Sequence, residues 1–173
     1  MITVSIAEEK NRIYNVMTRM LSHKKTGFSK GFDEGEYEYL FLPMKEEEKR
    51  DVVLLHKPVD LSCTGDYVTV LNADEQFSAW PRQSLLITYG LNPLSTITAS
   101  SIRNDEEGIS FFCCLQRSIA TLKGNILEPQ EFLVNLPVRK MDISEALGAV
   151  TLGLVFSVSP KEFDSLFFEK NLS

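Results

Sequence analysis

The residues that carry most metal and acid–base chemistry are scarce in this chain: histidine occurs twice and cysteine three times in 173 residues. With so little histidine, no Ser-His-Asp or Cys-His arrangement can be placed. The three cysteines are Cys63, Cys113 and Cys114. The last two adjoin each other in a run that reads as a strand, so their side chains are expected on opposite faces. That suits neither a disulfide framework nor a metal knuckle. Buried thiols in a reducing cytoplasm are the expectation. Long apolar runs are missing too. No segment approaches the roughly 20 apolar residues that span a membrane, and the start, MITVSIAEEK, lacks the charged opening and apolar stretch of a secretory signal. The expected location is therefore cytoplasmic, with no membrane partner. Positive charge is also short: the net charge is −6, which argues against nucleic acid as the main partner, because phosphate binding needs clustered basic residues.

What is present belongs to an ordinary soluble globular protein. The length fits one domain, residues 1–173, since domains cluster near roughly 100–150 residues. No internal repeat, low-complexity tract or interdomain linker interrupts it. Charge is unevenly spread, with residues 10–30 mostly basic and 33–51 acidic, including Glu46, Glu47 and Glu48. Two solvated faces explain this; an acidic patch for a basic partner is the alternative.

Hydrophobic patterning predicts a strand over 1–6, then an amphipathic helix over 11–21 with Ile13, Val16, Met17, Met20 and Leu21 on its buried face. Residues 23–35 read as a loop. Short apolar runs at 37–43 and 51–56 suit a sheet covered on both faces, and 67–71 and 85–89 read as two more strands. Beyond Gly90 the pattern turns antiparallel: 96–102, 108–115, 117–122 and 130–136, with Lys123-Gly124-Asn125 as a turn. Asp142 and Glu145 form a capping box before an apolar helix over 143–156. Ser159, Pro160 and Glu162 mark another helix start.

The stretch YVTVLNADEQFSAWPRQSLLITYGLNPLSTITASSI, residues 67–102, resembles the later part of the ATP-binding central domain of Mur ligases, which add amino acids to the peptidoglycan precursor. Asn72, Ala73 and Asp74 match that family's Asn-Ala-Asp-Asp strand end, and Ile87, Thr88, Tyr89 and Gly90 match its Ile-Thr-Tyr-Gly. Weaker likenesses lie at Asp51-Val-Val-Leu-Leu and at Glu145-Ala-Leu-Gly-Ala-Val. The resemblance implies an α/β fold like that central domain, related to P-loop NTPases: a mostly parallel sheet with helices plus an antiparallel β extension. The family's other two domains find no room in this length.

The family forms an acyl phosphate from a carboxylate and ATP, which an amine then displaces. Such phosphoryl transfer needs backbone amides and a lysine around the phosphates, with magnesium held nearby. The family's Gly-Thr-Asn-Gly-Lys-Thr loop corresponds here to Ile6-Ala7-Glu8-Glu9-Lys10-Asn11. Lys10 falls at the lysine position, but both glycines and the threonine hydroxyl are absent, and Glu8 and Glu9 bring negative charge. The magnesium-holding glutamate is replaced around Pro43 and Met44, and the Asp-His-Leu-Asp histidine is missing from Pro58-Val59-Asp60-Leu61. His56 reads as a strand-end side chain rather than a displaced ligand or base; His23 and the basic Arg117, Lys123, Arg139 and Lys140 read as surface residues.

These departures imply a non-catalytic Mur-ligase-like protein with a binding or regulatory role in or near cell-wall precursor metabolism, associating with a protein partner or with itself. No catalytic or metal residue is assigned. Lys10, Asn72 and Asp74 are the candidates for a vestigial nucleotide site; for Asn72 and Asp74 the competing reading is a turn that satisfies backbone amides. No cofactor is expected. ATP with magnesium enters only under the alternatives: a carboxylate–amine ligase using Lys10 in an altered loop, or a nucleotide or small-molecule sensor using Asn72.

Overall fold

The computed structural model describes residues 2–24, 39–42, 51–59, 67–78 and 85–165. The elements in chain order are β1 (Ile2–Ala7), α1 (Arg12–Lys24), β2 (Tyr39–Leu42), β3 (Val52–Leu55), β4 (Val68–Asn72), β5 (Leu85–Tyr89), β6 (Ile97–Asn104), β7 (Ile109–Leu115), β8 (Ile119–Ala120), β9 (Ile126–Leu127), β10 (Gln130–Leu136), α2 (Ile143–Val155) and α3 (Glu162–Ser165). Expectations for Pro43, Met44, the acidic run Glu46, Glu47 and Glu48, Asp60, Leu61, Cys63 and the side chain of His23 fall outside the described residues.

One eight-stranded sheet organises the chain, in the order β10-β7-β6-β5-β4-β3-β1-β2. From β2 to β6 every neighbouring pair is parallel, and β6, β7 and β10 pair antiparallel. This is the α/β architecture expected from the sequence. The parallel strands alternate faces strictly. Val4, Val52, Leu54, Val70, Ile87 and Tyr89 belong to the main core, while Ala7, Val53, Leu55 and Leu71 form a second cluster. Both faces being buried explains why these strands read as unbroken apolar runs.

Helix α1 places Ile13, Val16, Met17, Met20 and Leu21 in the main core and leaves Tyr14, Asn15 and Arg19 exposed, which is one apolar stripe at helical spacing. It runs to Lys24, past its expected end and through His23. Helix α2 is buried from Glu145 to Val155 and packs on α1 and on β4, β5 and β6. Its capping box forms as the sequence predicts: the Glu145 amide donates to Asp142 Oδ1 at 2.7 Å, and the Asp142 amide donates to Glu145 Oε2 at 3.0 Å.

The segment expected as a strand over 117–122 pairs only at Ile119–Ala120, in a separate hairpin with β9 around Gly124, whose φ is +80°. The rest is diverted because the Leu122 amide donates to the Val155 carbonyl and the Thr121 amide to that of Asn125. At the last helix, the Ser159 amide donates to the Glu162 carboxylate at 2.5 Å, so the start signal at Ser159 works through its backbone.

Register fixes where the antiparallel part sits. β5 and β6 meet at one position, Tyr89 beside Ile97, running in the same direction. β6 therefore continues where β5 stops, and the antiparallel strands stand beyond the carboxyl edge of the parallel ones. The start of α2 is held to this wall by the Asn104 side-chain amide, which donates to the Met141 carbonyl at 2.9 Å.

Candidate site at the carboxyl edge of the parallel sheet

In open α/β sheets the crevice beyond the strand carboxyl ends is where ligands bind. Here that edge gathers the β1–α1 loop, the ends of β3, β4 and β5, and the start of α2. Helix α1 begins there with backbone amides that have no partner within the helix and with the positive end of its dipole. Both needs are met internally. The Glu8 carboxylate accepts from the Ile13 amide at 2.9 Å and from the Tyr14 amide at 2.8 Å. The turn into the helix passes through Asn11 at φ +51°, a left-handed conformation that asparagine tolerates. Lys10 and Glu9 are exposed in this loop.

Arg12, the first residue of α1, bridges to the other helix. Its Nη1 donates to Glu145 Oε2 at 3.0 Å and to the Lys140 carbonyl. Lys140 is itself left-handed, at φ +61°. The two helix starts thus converge, each capped by a carboxylate of this chain, with one guanidinium between them. Arg117, Lys123, Arg139 and Lys140 have exposed side chains.

Asn72 and Asp74, for which the sequence leaves both a nucleotide contact and a turn that satisfies backbone amides open, make internal contacts of the second kind. Asn72 is 1% exposed. Its Nδ2 donates to the His56 carbonyl at 3.2 Å and to Ser144 Oγ at 3.0 Å, and its Oδ1 accepts from the Asp74 amide at 3.1 Å. The Asp74 carboxylate accepts from the amides of Leu91 and Asn92 at 2.6 and 2.8 Å. Gly90 lies directly on that carboxylate; a β-carbon there would sit 2.7 Å from it. The structure therefore brings Asn72 and Asp74 together, while Lys10 is exposed in the β1–α1 loop.

Two further residues complete the edge. His56 Nδ1 is 2.8 Å from the Tyr89 hydroxyl, with the rings nearly parallel. Burial lowers the His56 pKa, against the upward pull of the Asp142 and Glu145 carboxylates. Burial raises the Tyr89 pKa well above its ordinary value, reinforced by Glu8 and Asp142. Lys57 Nζ reaches Glu75 Oε1 at 2.6 Å, and that hydrogen bond raises the lysine pKa. The sequence showed Glu8 only as misplaced charge, and nothing in its pattern marked Arg12 or Tyr89 as partners. Those pairings join residues distant in the chain, 133 positions apart for Arg12 and Glu145.

Chemically, this edge is a set of groups paired with one another. Among the described residues no cluster of histidine, cysteine and carboxylates could hold a metal ion, and no helix is long and apolar enough to cross a membrane. The two cysteines among the described residues lie on β7, on opposite faces as expected and neither in a disulfide, but the expected burial holds for Cys113 alone, Cys114 being half-buried.

No family model matches the sequence, and no curated protein matches it. Solved structures do match in shape. One of MurF from Acinetobacter baumannii has a TM-score of 0.60 at 12% identity, covering 94% of this chain and 44% of that one. The UDP-N-acetylmuramoylalanyl-D-glutamyl-2,6-diaminopimelate–D-alanyl-D-alanyl ligase of A. baumannii has a TM-score of 0.56 at 11% identity, with the same coverage. A UDP-N-acetylmuramoyl-L-alanyl-D-glutamate–2,6-diaminopimelate ligase gives 0.57 at 11% identity, again over 94% of this chain and 44% of that one. The chain spans less than half the length of these ligases. At such identities the likeness speaks for architecture alone, and what it establishes is a Mur-ligase-like fold.

Proposed function

We propose that this is a non-catalytic Mur-ligase-like protein with a binding or regulatory role, tied by its fold to cell-wall precursor metabolism. The observation that carries the reading is the Glu8 carboxylate on the first amides of α1. A nucleotide phosphate held at that helix start would need the same amides. It would also face the Glu8 charge, at a cost of about 1 kcal/mol in water and about 4 kcal/mol at a protein-like dielectric for charges roughly 4 Å apart. In this reading Lys10, Asn72 and Asp74 mark a vestigial nucleotide site, the latter two having taken over turn and strand-end hydrogen bonds. No cofactor is needed.

A partner follows from what the edge displays. The loop after β5 is pinned by Asp74 and by the Gln116 side chain, which donates to the Pro93 and Ser95 carbonyls. Yet it exposes Leu91 by 47% and Leu94 by 73%. Ordered apolar side chains of this kind favour association with another protein or with a second copy. The rival reading, an ATP- and magnesium-dependent carboxylate–amine ligase, rests on Lys10, exposed at the position of the family's lysine.

Calorimetric titration with Mg-ATP separates them. The expected result is no binding. Tight binding abolished by Lys10→Ala would overturn the proposal in favour of the ligase, and binding indifferent to Lys10 would overturn it in favour of a sensor.

A further inference from the structure

The three antiparallel strands turn one face to the main core, through Phe111 and Val134 among others. Their other face is open at its centre. Phe112 is 41% exposed and Leu133 36%. The two are direct neighbours across β7 and β10, with Ser100 of β6 on the other side of Phe112. Both stand on paired strands, so a partner that buried them would lose little freedom in ordering them.

The charges around this centre decide which partner fits. Along β7 the open-face residues run Ser110, Phe112, Cys114, alternating with buried ones. Arg103 of β6 is paired with Ser110, and Glu131 of β10 with Cys114. The two charges therefore occupy diagonally opposite corners of the face, with Phe112 between them. Such a pattern is complementary to itself, which is what a two-fold contact requires. A second copy turned over about the in-plane line from Thr98 to Asn135 sets its Glu131 against Arg103 and its Arg103 against Glu131. Phe112 then meets Phe112 at the axis, the central aromatic position where binding energy concentrates. The strands of the two sheets cross at near right angles, a recognised sheet packing. Sheet twist draws the charged corners together in that crossing and spreads the other two, where Asn135 holds Asp164.

Both charged groups keep hydrogen-bonding capacity in reserve. Arg103 meets Asp105 through Nε alone, in an exposed pair, and such pairs contribute little. Ser100 and Cys114 both donate to Glu131 Oε1, which leaves Oε2 for a guanidinium.

We propose that the open face of β6, β7 and β10 is a self-association surface, centred on Phe112 and closed by two Arg103–Glu131 pairs between copies. Three short strands make a small interface, so the dimer is weak and concentration-dependent. It uses neither Leu91 nor Leu94, so it stands or falls apart from the association argued from their loop.

Sedimentation equilibrium over a concentration series tests it. The wild type forms dimers, and Phe112→Ser, Arg103→Glu and Glu131→Arg each raise the dissociation constant on the order of tenfold or more. All three side chains are exposed, and circular dichroism checks that each variant stays folded. The deciding arm is a mixture of the Arg103→Glu and Glu131→Arg proteins. Each associates poorly alone, but together they pair at near wild-type affinity, because both contacts between copies again join opposite charges. A wild type that stays monomeric would overturn the proposal and leave the face to another protein or to a segment of its own chain. So would a dimer unmoved by Phe112→Ser, or a mixture that associates no better than its components. Dimers lost only with Leu94→Ser would move the contact to the β5–β6 loop and overturn it equally.

Discussion

A carboxylate four positions before α1 does what a serine or aspartate at the cap usually does. Glu8→Ala leaves the Ile13 and Tyr14 amides without their acceptor, and the expected loss is about 1 kcal/mol, within the range for removing a helix cap. Glu8→Gln keeps one good acceptor and loses less. Urea denaturation of the three proteins measures both. Cys113 offers a second check. Burial holds its thiol far above the ordinary range, and the thiolate is the reactive species. In a variant whose other two cysteines are serine, Cys113 should resist thiol reagents at neutral pH until denaturant is added. Rapid labelling of the folded variant would contradict the buried placement. Alternation along a strand places the two adjacent cysteines on opposite faces, but the expectation that both are buried holds for Cys113 and not for the half-buried Cys114; Glu8 is legible only as charge, because its role depends on a turn that residue types do not encode.

The loop between β5 and β6 is held from two sides, by Asp74 of a neighbouring connection and by Gln116. Asp74→Ala removes the acceptor of two backbone amides. It is expected to cost about 1–2 kcal/mol and to speed amide exchange at Leu91 and Asn92 while α2 stays protected. In α2, Gly148→Ala sets helix propensity against space. Alanine gains roughly 1 kcal/mol as a helix former, but its β-carbon would meet the Tyr89 hydroxyl at 2.9 Å and Ile13 Cδ1 at 3.2 Å. Overpacking a full core costs about 1–3 kcal/mol, so a lower melting temperature is expected. Most strands, both long helices and the Asp142–Glu145 box were readable because each rests on local pattern: short apolar runs or period two, period 3.6, and cap residues at fixed spacing. The strand expected over 117–122 was not, since Leu122 gives its amide to Val155, a partner no local pattern announces.

The molecule as a whole should weaken in mild acid. His56 has a folded-state pKa below its ordinary 6.5, so below pH 6.5 the unfolded chain takes up the proton first. Stability from this residue is complete above pH 6.5 and declines as pH falls toward the folded-state value. Thermal melts of the wild type and His56→Gln should therefore run parallel above pH 6.5 and converge below it. The candidate site was half legible: the chain pointed to the strand ends at Asn72 and Asp74, whereas the bridge from Arg12 to Glu145 appears only when the starts of α1 and α2 meet. That bridge has a bearing on biosynthesis. During translation the amino-terminal helix emerges long before α2, and until α2 arrives its apolar stripe of Ile13, Val16, Met17 and Met20 lacks much of its cover. A nascent chain stalled before residue 140 should accordingly be a ready client for chaperones and proteases, and emergence of α2 should end that exposure.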